Sequence, residues 1–285
     1  MLARRLWRHF TYGISLSAGL AGLKGKLQSG NTLVCLSVDG DGGGNPKAIP
    51  VGCRLLFDIF DRLGLRGRVT WFINADDGWT GGHGALLERI IGRNDAVEQH
   101  THMEKEIEND DLEVIESRIG AHRRELEDFC RTLRPDYKIL GFRSGRLRYS
   151  PNLFAALGKL GFLFDSSVSH LQPDQALAAM RKEPEKEVTT GASLLAPVER
   201  IETGAPAGPL LEIPVWEPFP SWKWLATVAT PPIIITNLIH PFNLVTQSGR
   251  PNRPVVEYYT LLVRLLGRMP NVEFTTLRDA VSRWT

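Results

Sequence analysis

The stretch Leu33-Val34-Cys35-Leu36-Ser37-Val38-Asp39-Gly40-Asp41-Gly42-Gly43-Gly44 decides how the rest of the chain reads. A short apolar run of this kind suits a strand buried on both faces of a parallel sheet. The acidic and glycine residues after it suit the loop at the strand's C-terminal end. The pattern recurs downstream. Residues 69–73, 96–99, 139–142, 162–164, 211–216, 232–239 and 272–275 read as further strands. Between them, apolar residues at helical spacing predict helices over 51–63, 85–91, 112–133, 150–160 and 254–266, with another at the C-terminus. The 112–133 helix is the clearest, because Leu112, Ile115, Ile119, Leu126, Phe129 and Leu133 share a face and Pro135 closes it.

This βα succession predicts a parallel α/β barrel, in which the C-terminal strand ends carry the functional residues. The chain has 285 residues, 42% hydrophobic and 23% charged, an ordinary globular composition with ample length for a large core. Residues 30–285 read as one domain. Residues 1–29 stand apart, with Arg4, Arg5 and Arg8 ahead of a mildly apolar stretch from Phe10 to Leu23. That stretch is shorter than the ~20 apolar residues a membrane span needs. It reads as a basic amphipathic segment resting on the domain or on a membrane surface, which gives the expectation of a cytoplasmic protein with peripheral membrane contact. A net charge of +2 gives no electrostatic reason to expect nucleic acid as a partner. Cys35, Cys53 and Cys130 show no CxxC spacing and read as small buried residues in a reducing compartment. The polar segment 172–202 reads as an excursion from the core. Trp216, Phe219, Trp222 and Trp224, interleaved with prolines, read as a loop packed over the barrel mouth or as a sugar- or lipid-facing lip.

Polar residues fall repeatedly just after strands: Asp39, Asp41, His100, Arg143, Asp165 and His240. One such residue means little, but this many on separate strand ends suggest one shared cleft. Asp39 and Asp41, spaced i,i+2, can point to the same side and supply the anionic oxygen and the neighbouring base that a divalent metal and its water need. His100, His102 and Glu104 are all candidate metal ligands. His100 and His102 share a face if the segment is extended, whereas His100 and Glu104 share one if it is helical. His240 suits a general acid, Arg143 a tether for an ionised base, and Asp165 a partner that orients such a histidine.

Together these stretches resemble the NodB-homology polysaccharide deacetylases, carbohydrate esterase family 4. The family's TFDDG-like motif is similar to Leu36-Ser37-Val38-Asp39-Gly40-Asp41-Gly42, and its H[ST]xxH motif to Glu98-Gln99-His100-Thr101-His102. Its arginine, aspartate and late-histidine motifs are similar to Gly141–Gly145, Phe164–Val168 and Leu238–Pro241 in the same order. The resemblance implies a distorted (β/α) barrel, a divalent metal (usually zinc), and removal of acetyl groups from an N-acetylated sugar in a polysaccharide, glycolipid or precursor. It implies Asp39 as catalytic base, Asp41 and His100 as metal ligands with His102 or Glu104 completing the shell, and His240 as catalytic acid. Arg143 would tether the base and Asp165 would tune the acid. The chain departs from the family in three places. Gly40 separates the two aspartates, Glu104 stands where the second histidine falls, and Ser144-Gly145-Arg146 replaces the proline and tyrosine after the arginine. A catalytically silent carbohydrate-binding relative, and a glycosidase using Asp39 and Asp165 as its carboxylate pair, are the competing readings.

Overall fold

The computed structural model describes residues 32–45, 47–109, 111–168, 199–203, 208–217 and 234–284. The N-terminal segment 1–29, most of the polar excursion and the aromatics Phe219, Trp222 and Trp224 lie outside the described residues. In chain order the elements are β1 (Thr32–Asp39), α1 (Ala48–Arg62), β2 (Val69–Asn74), α2 (Gly84–Gly92), β3 (Ala96–Thr101), α3 (Glu104–Glu108), α4 (Leu112–Leu133), β4 (Gly141–Ser144) and α5 (Pro151–Lys159). There follow β5 (Phe164–Asp165), β6 (Glu199–Ile201), β7 (Leu210–Glu212), β8 (Val215–Glu217), β9 (Ile234–Asn237), α6 (Arg253–Leu266), β10 (Val272–Phe274) and α7 (Leu277–Trp284).

The strands form one 10-stranded curled sheet in the order β6-β7-β5-β4-β3-β2-β1-β9-β8, with β10 also paired to β1. Every pairing is parallel except β6 with β7. This is a distorted (β/α) barrel. The first strand is central to it because it is long enough for three partners. β9 takes one edge, while β10 and β2 share the other, at residues 32–34 and 36–39 respectively.

Alternation along β1 divides the core in two. Val34, Leu36 and Val38 face outward into a large apolar layer with Leu56, Phe57 and Phe60 of α1 and Trp71 of β2. Cys35 faces inward with Phe72, Phe164, Leu211 and Ile234, where Leu277 and Val281 of α7 close the bottom of the barrel. Two-sided burial explains the unbroken apolar run that the sequence shows. Each fully buried Leu, Ile or Phe in these layers contributes roughly 1.5–3 kcal/mol. Ser37 and Asp39 continue the inward face upward, so the register that fills the barrel also delivers the acid to its mouth.

The strand expected over 211–216 is two strands, β7 and β8, separated at Ile213-Pro214; proline cannot donate to a continuous ladder. The strand expected over 139–142 begins two residues later, because the backbone N–H groups of Leu140 and Gly141 donate to the buried Glu98 carboxylate instead of to a strand. The short helix α3 has no apolar period and is absent from the sequence reading, and β6 lies at the end of the segment read as an excursion. All three cysteines are buried and unbridged, and burial pushes each thiol up, Cys130 to about 12. No helix among the described residues is long and apolar enough to cross a membrane.

Candidate active site at the strand C-termini

The site begins with a turn. Asp39 ends β1, and the Asp41 N–H donates back to the Asp39 carbonyl at 2.9 Å, closing a tight three-residue turn over Gly40. Gly40 N–H donates to the Phe72 carbonyl at 2.8 Å, and the Trp79 indole N–H donates to the Gly40 carbonyl at 2.6 Å. A Cβ on Gly40 would lie 2.8 Å from the Trp79 ring and 2.9 Å from Ile73, so only glycine fits. The extra residue between the aspartates is thus folded out of the way, and both carboxylates belong to one cleft.

Asp39 is nearly inaccessible, and its Oδ1 accepts from Arg143 Nη1 at 2.7 Å. Arg143 is itself fully buried, brought inward by β4, with its guanidinium 4.0 Å from the centroid of the Phe72 ring. Four of its five N–H donors are engaged: Nη1 also reaches Ser37 Oγ at 2.7 Å, Nε reaches the Ser166 carbonyl at 3.1 Å, and Nη2 reaches Ser166 Oγ at 2.9 Å. A buried ion pair persists only when its remaining donors and acceptors are satisfied. Here the two serines do that, and Ser37 is fixed in turn by its own N–H donating to Asn237 Oδ1 at 2.9 Å and its hydroxyl donating to the Asn237 carbonyl.

Asp41, His100 and His102 each offer a ligand atom, and these atoms lie within 4.8 Å of one another. His100 is buried at the end of β3, and its Nδ1 meets the Arg143 carbonyl at 2.8 Å. A carbonyl only accepts, so Nδ1 carries the proton and Nε2 presents a bare lone pair. That Nε2 is buried without a hydrogen-bond partner. Desolvation holds the His100 pKa below its ordinary value, which keeps the ring neutral. An orphaned neutral imidazole nitrogen beside a carboxylate and a second imidazole fits a divalent cation by donor chemistry. Its remaining ring nitrogen is fixed to a backbone carbonyl, as metal-ligating histidines usually are.

His102 follows the end of β3 by one residue, and its i,i+2 relation to His100 is the one realised, with ring centroids 4.9 Å apart. Its Nδ1 meets Glu104 Oε1 at 2.9 Å, which turns Nε2 toward Asp41 Oδ2 at 3.7 Å. Glu104 therefore sits behind His102 rather than with the three clustered donors. Hydrogen bonding to Asp41, opposed by partial burial and helped by Glu104, raises the His102 pKa to about 9. For Asp41, burial alone would raise the pKa, but His102, His240, His100 and the Gly43 N–H together bring it below the ordinary value. Gly145 packs against this pair: a Cβ there would lie 2.5 Å from His102 Nδ1 and 2.8 Å from Glu104 Oε1.

His240 is partly exposed, with Nε2 3.3 Å from Asp41 Oδ2 and its ring stacked on Phe242 at 4.5 Å between centroids. Asp165 does not join it. Both Asp165 oxygens accept from Ser167, Oδ1 from the hydroxyl at 2.7 Å and Oδ2 from the N–H at 3.1 Å, and Glu212 bonds it across the β5–β7 pairing. Desolvation raises the Asp165 pKa, opposed by the hydrogen bonds from Glu212 and Ser167. The structure thus brings Asp39, Asp41, His100, His102, Arg143 and His240 into one site. It places Glu104 behind that site and Asp165 in a separate buried carboxyl pair.

Sequence reading missed Ser37, Ser166, Asn237, Glu212 and Trp79. Ser37 was recoverable, since it precedes Asp39 by one strand period, and Glu212 stands out as a charge inside an apolar run. Nothing local marks Asn237 or Trp79, whose roles come from long-range contacts. Arg146 and Leu147 occupy left-handed backbone, at φ of 52° and 53°, in the loop directly after Arg143. That conformation is unfavourable for residues other than glycine.

No protein-family model matches the chain, and no curated protein matches it in sequence. Solved structures do. A Pseudomonas aeruginosa protein assigned as a polysaccharide deacetylase aligns with a TM-score of 0.61 at 13% identity, over 89% of this chain and 90% of that one. A Mycobacterium smegmatis protein assigned likewise aligns at 0.60 with 14% identity, over 90% and 91%. A mutant of a carbohydrate esterase family 4 pseudoenzyme, with restored enzymatic activity, aligns at 0.51 with 8% identity, over 89% of this chain and 68% of that one. With its architecture matched over about nine-tenths of its length, this chain has the fold of the polysaccharide deacetylases.

Proposed function

We propose that the protein is a metal-dependent hydrolase that removes the acetyl group from an N-acetylated sugar. The observation that carries this reading is the buried, unpartnered His100 Nε2 facing Asp41 and His102, one turn away from the arginine-tethered Asp39. Asp41, His100 and His102 would hold a divalent cation, for which zinc suits the nitrogen-rich donor set. Such a cation supplies Lewis acidity to the acetamide carbonyl and lowers the pKa of water beside it.

The chain's own residues do the rest. Asp39, held in place by Arg143, accepts the proton of the attacking water. Fixing that carboxylate before substrate arrives removes an orientational cost from the reaction. His240, beside Asp41, delivers a proton to the leaving amine nitrogen. Glu104 holds His102 in the tautomer and orientation that its partner needs. Asp165 and Glu212 tie β5 to β7 beneath the site and take no part in proton transfer. A glycosidase reading is disfavoured, because both Asp165 oxygens are taken up by Ser167 in a buried carboxyl pair with Glu212.

The test is acetate release from chitooligosaccharides by zinc-loaded protein. Asp39→Asn should lower the rate by a factor of about 10²–10⁴, the usual worth of a general base. Release at the wild-type rate in that variant sinks the assignment of the base. Metal binding without release by the wild type would instead favour the silent carbohydrate-binding relative.

A further inference from the structure

Beside the site, where the chain turns from His240 toward α6, a recess of about 430 Å³ is lined by Thr246, Arg250, Asn252 and Arg253, with no acidic residue in its wall. Lys47 stands next to it: a Cβ on Gly249 would lie 2.8 Å from Lys47 Cδ, so the lysine stem runs along the backbone that carries Arg250. Neither arginine nor Lys47 has a carboxylate partner among the described residues. By contrast, Arg118 meets Glu106, Arg146 meets Glu104 and Arg148 meets Glu108. The recess also faces the start of α6, whose N-cap Asn252 makes no side-chain capping bond. The positive end of that helix dipole therefore adds to the same field.

The recess is joined to the cleft. Asn45 Nδ2, on the loop that follows Asp41, donates to the Thr246 carbonyl at 3.4 Å. Phe242, stacked on His240, covers Gly43 of that loop. Thr246 follows His240 so closely in sequence that the intervening chain spans at most roughly 20 Å. These contacts set the recess on the His240 side of the cleft.

We infer that this recess is an anion-binding subsite of the cleft that takes the phosphate group of a phosphorylated saccharide. Two guanidiniums and an ammonium with no ion-pair partner within 4.0 Å among the described residues match a dianion better than a single carboxylate, and guanidiniums bind phosphate oxygens in bidentate fashion. The inference rests on the deacetylase reading for the sugar, but not for the anion.

Calorimetric titration of the full-length protein separates the two, with inorganic phosphate, N-acetylglucosamine and N-acetylglucosamine 1-phosphate as probes. The phosphorylated sugar should bind at least about tenfold more tightly than the neutral one. Arg250→Gln/Arg253→Gln should abolish that advantage and the binding of inorganic phosphate, while Arg268→Gln, at the far end of α6, keeps both. Lys47→Gln, which leaves the helix untouched, should lower the advantage partially and serves as the readout if the double variant unfolds. Equal affinity for the two sugars, or an advantage that survives the arginine replacements, overturns the subsite. Phosphate binding that depends on the arginines, with no sugar binding at all, upholds the subsite and overturns the sugar reading instead.

Discussion

Replacing Gly145 by alanine changes no proposed ligand, yet it should weaken metal binding. Gly145 is not in left-handed backbone, so alanine meets no conformational penalty there. The added methyl would lie 2.5 Å from His102 Nδ1, 2.8 Å from Glu104 Oε1 and 3.0 Å from the Thr101 carbonyl. Carbon does not approach nitrogen or oxygen that closely, and the two side-chain ends are what can move. The hydrogen bond between them, 2.9 Å long, lies directly in the path of the methyl. Losing the group that orients a ligating histidine typically costs 10–100-fold in metal affinity, or about 1.4–2.8 kcal/mol. Zinc affinity by competition with a chromophoric chelator, wild type against Gly145→Ala, measures this directly. Thermal unfolding of the metal-free proteins should agree within a few degrees, since the methyl strikes exposed side-chain ends rather than the core. Equal zinc affinity in the two proteins would refute the argument that Glu104 sets the orientation of His102.

Other consequences can be checked in the same preparations. Arg143→Met should destabilise the fold by about 3–5 kcal/mol, because the Asp39 carboxylate is left buried without a partner; a urea denaturation midpoint close to wild type would contradict this. In chelator-treated protein, His102 has a folded pKa of about 9 against an ordinary 6.5. Its contribution to stability is therefore complete below about pH 6.5 and lost as pH rises toward 9. The melting temperature should fall across that window in the wild type and not in His102→Ala. Zinc affinity should move oppositely, rising with pH over the same window as the competing proton leaves. Glu212→Gln should stay within about 1 kcal/mol of wild type at neutral pH, since an amide can donate to Asp165 as Glu212 does. Glu212→Ala should cost about 1–3 kcal/mol by stranding the Val168 N–H and Asp165. Equal losses in the two variants would argue against the hydrogen bond from Glu212 to Asp165.

The sequence carried the barrel because its strands are buried on both faces, which leaves apolar runs that end in polar residues. The long amphipathic α4 matched its expected bounds of Leu112–Leu133 for the same reason: a wide apolar face closed by proline is a local signal. Asp39, Arg143 and His240 were legible as strand-end residues. What was not legible depended on contacts between distant segments. Whether His102 or Glu104 stood with Asp41 turned on backbone shape after β3, which the residue types alone left open. Asp165 looked like a partner for His240, but the β5–β7 pairing brought it Glu212 instead, and no spacing rule encodes that register. The Asp-Gly-Asp spacing looked like a displaced ligand, and the turn over Gly40 shows how one inserted residue can be absorbed without moving the carboxylates to different sides.

Arg143 serves the site from both of its ends. Its guanidinium grips Asp39, and its carbonyl holds His100 Nδ1. One residue of β4 thus acts as a common gauge for the proposed base and for a proposed metal ligand, which lie on different strands. A slip of β4 by a fraction of an ångström would detune both at once, so substitutions beneath that strand should lower proton transfer and metal affinity together.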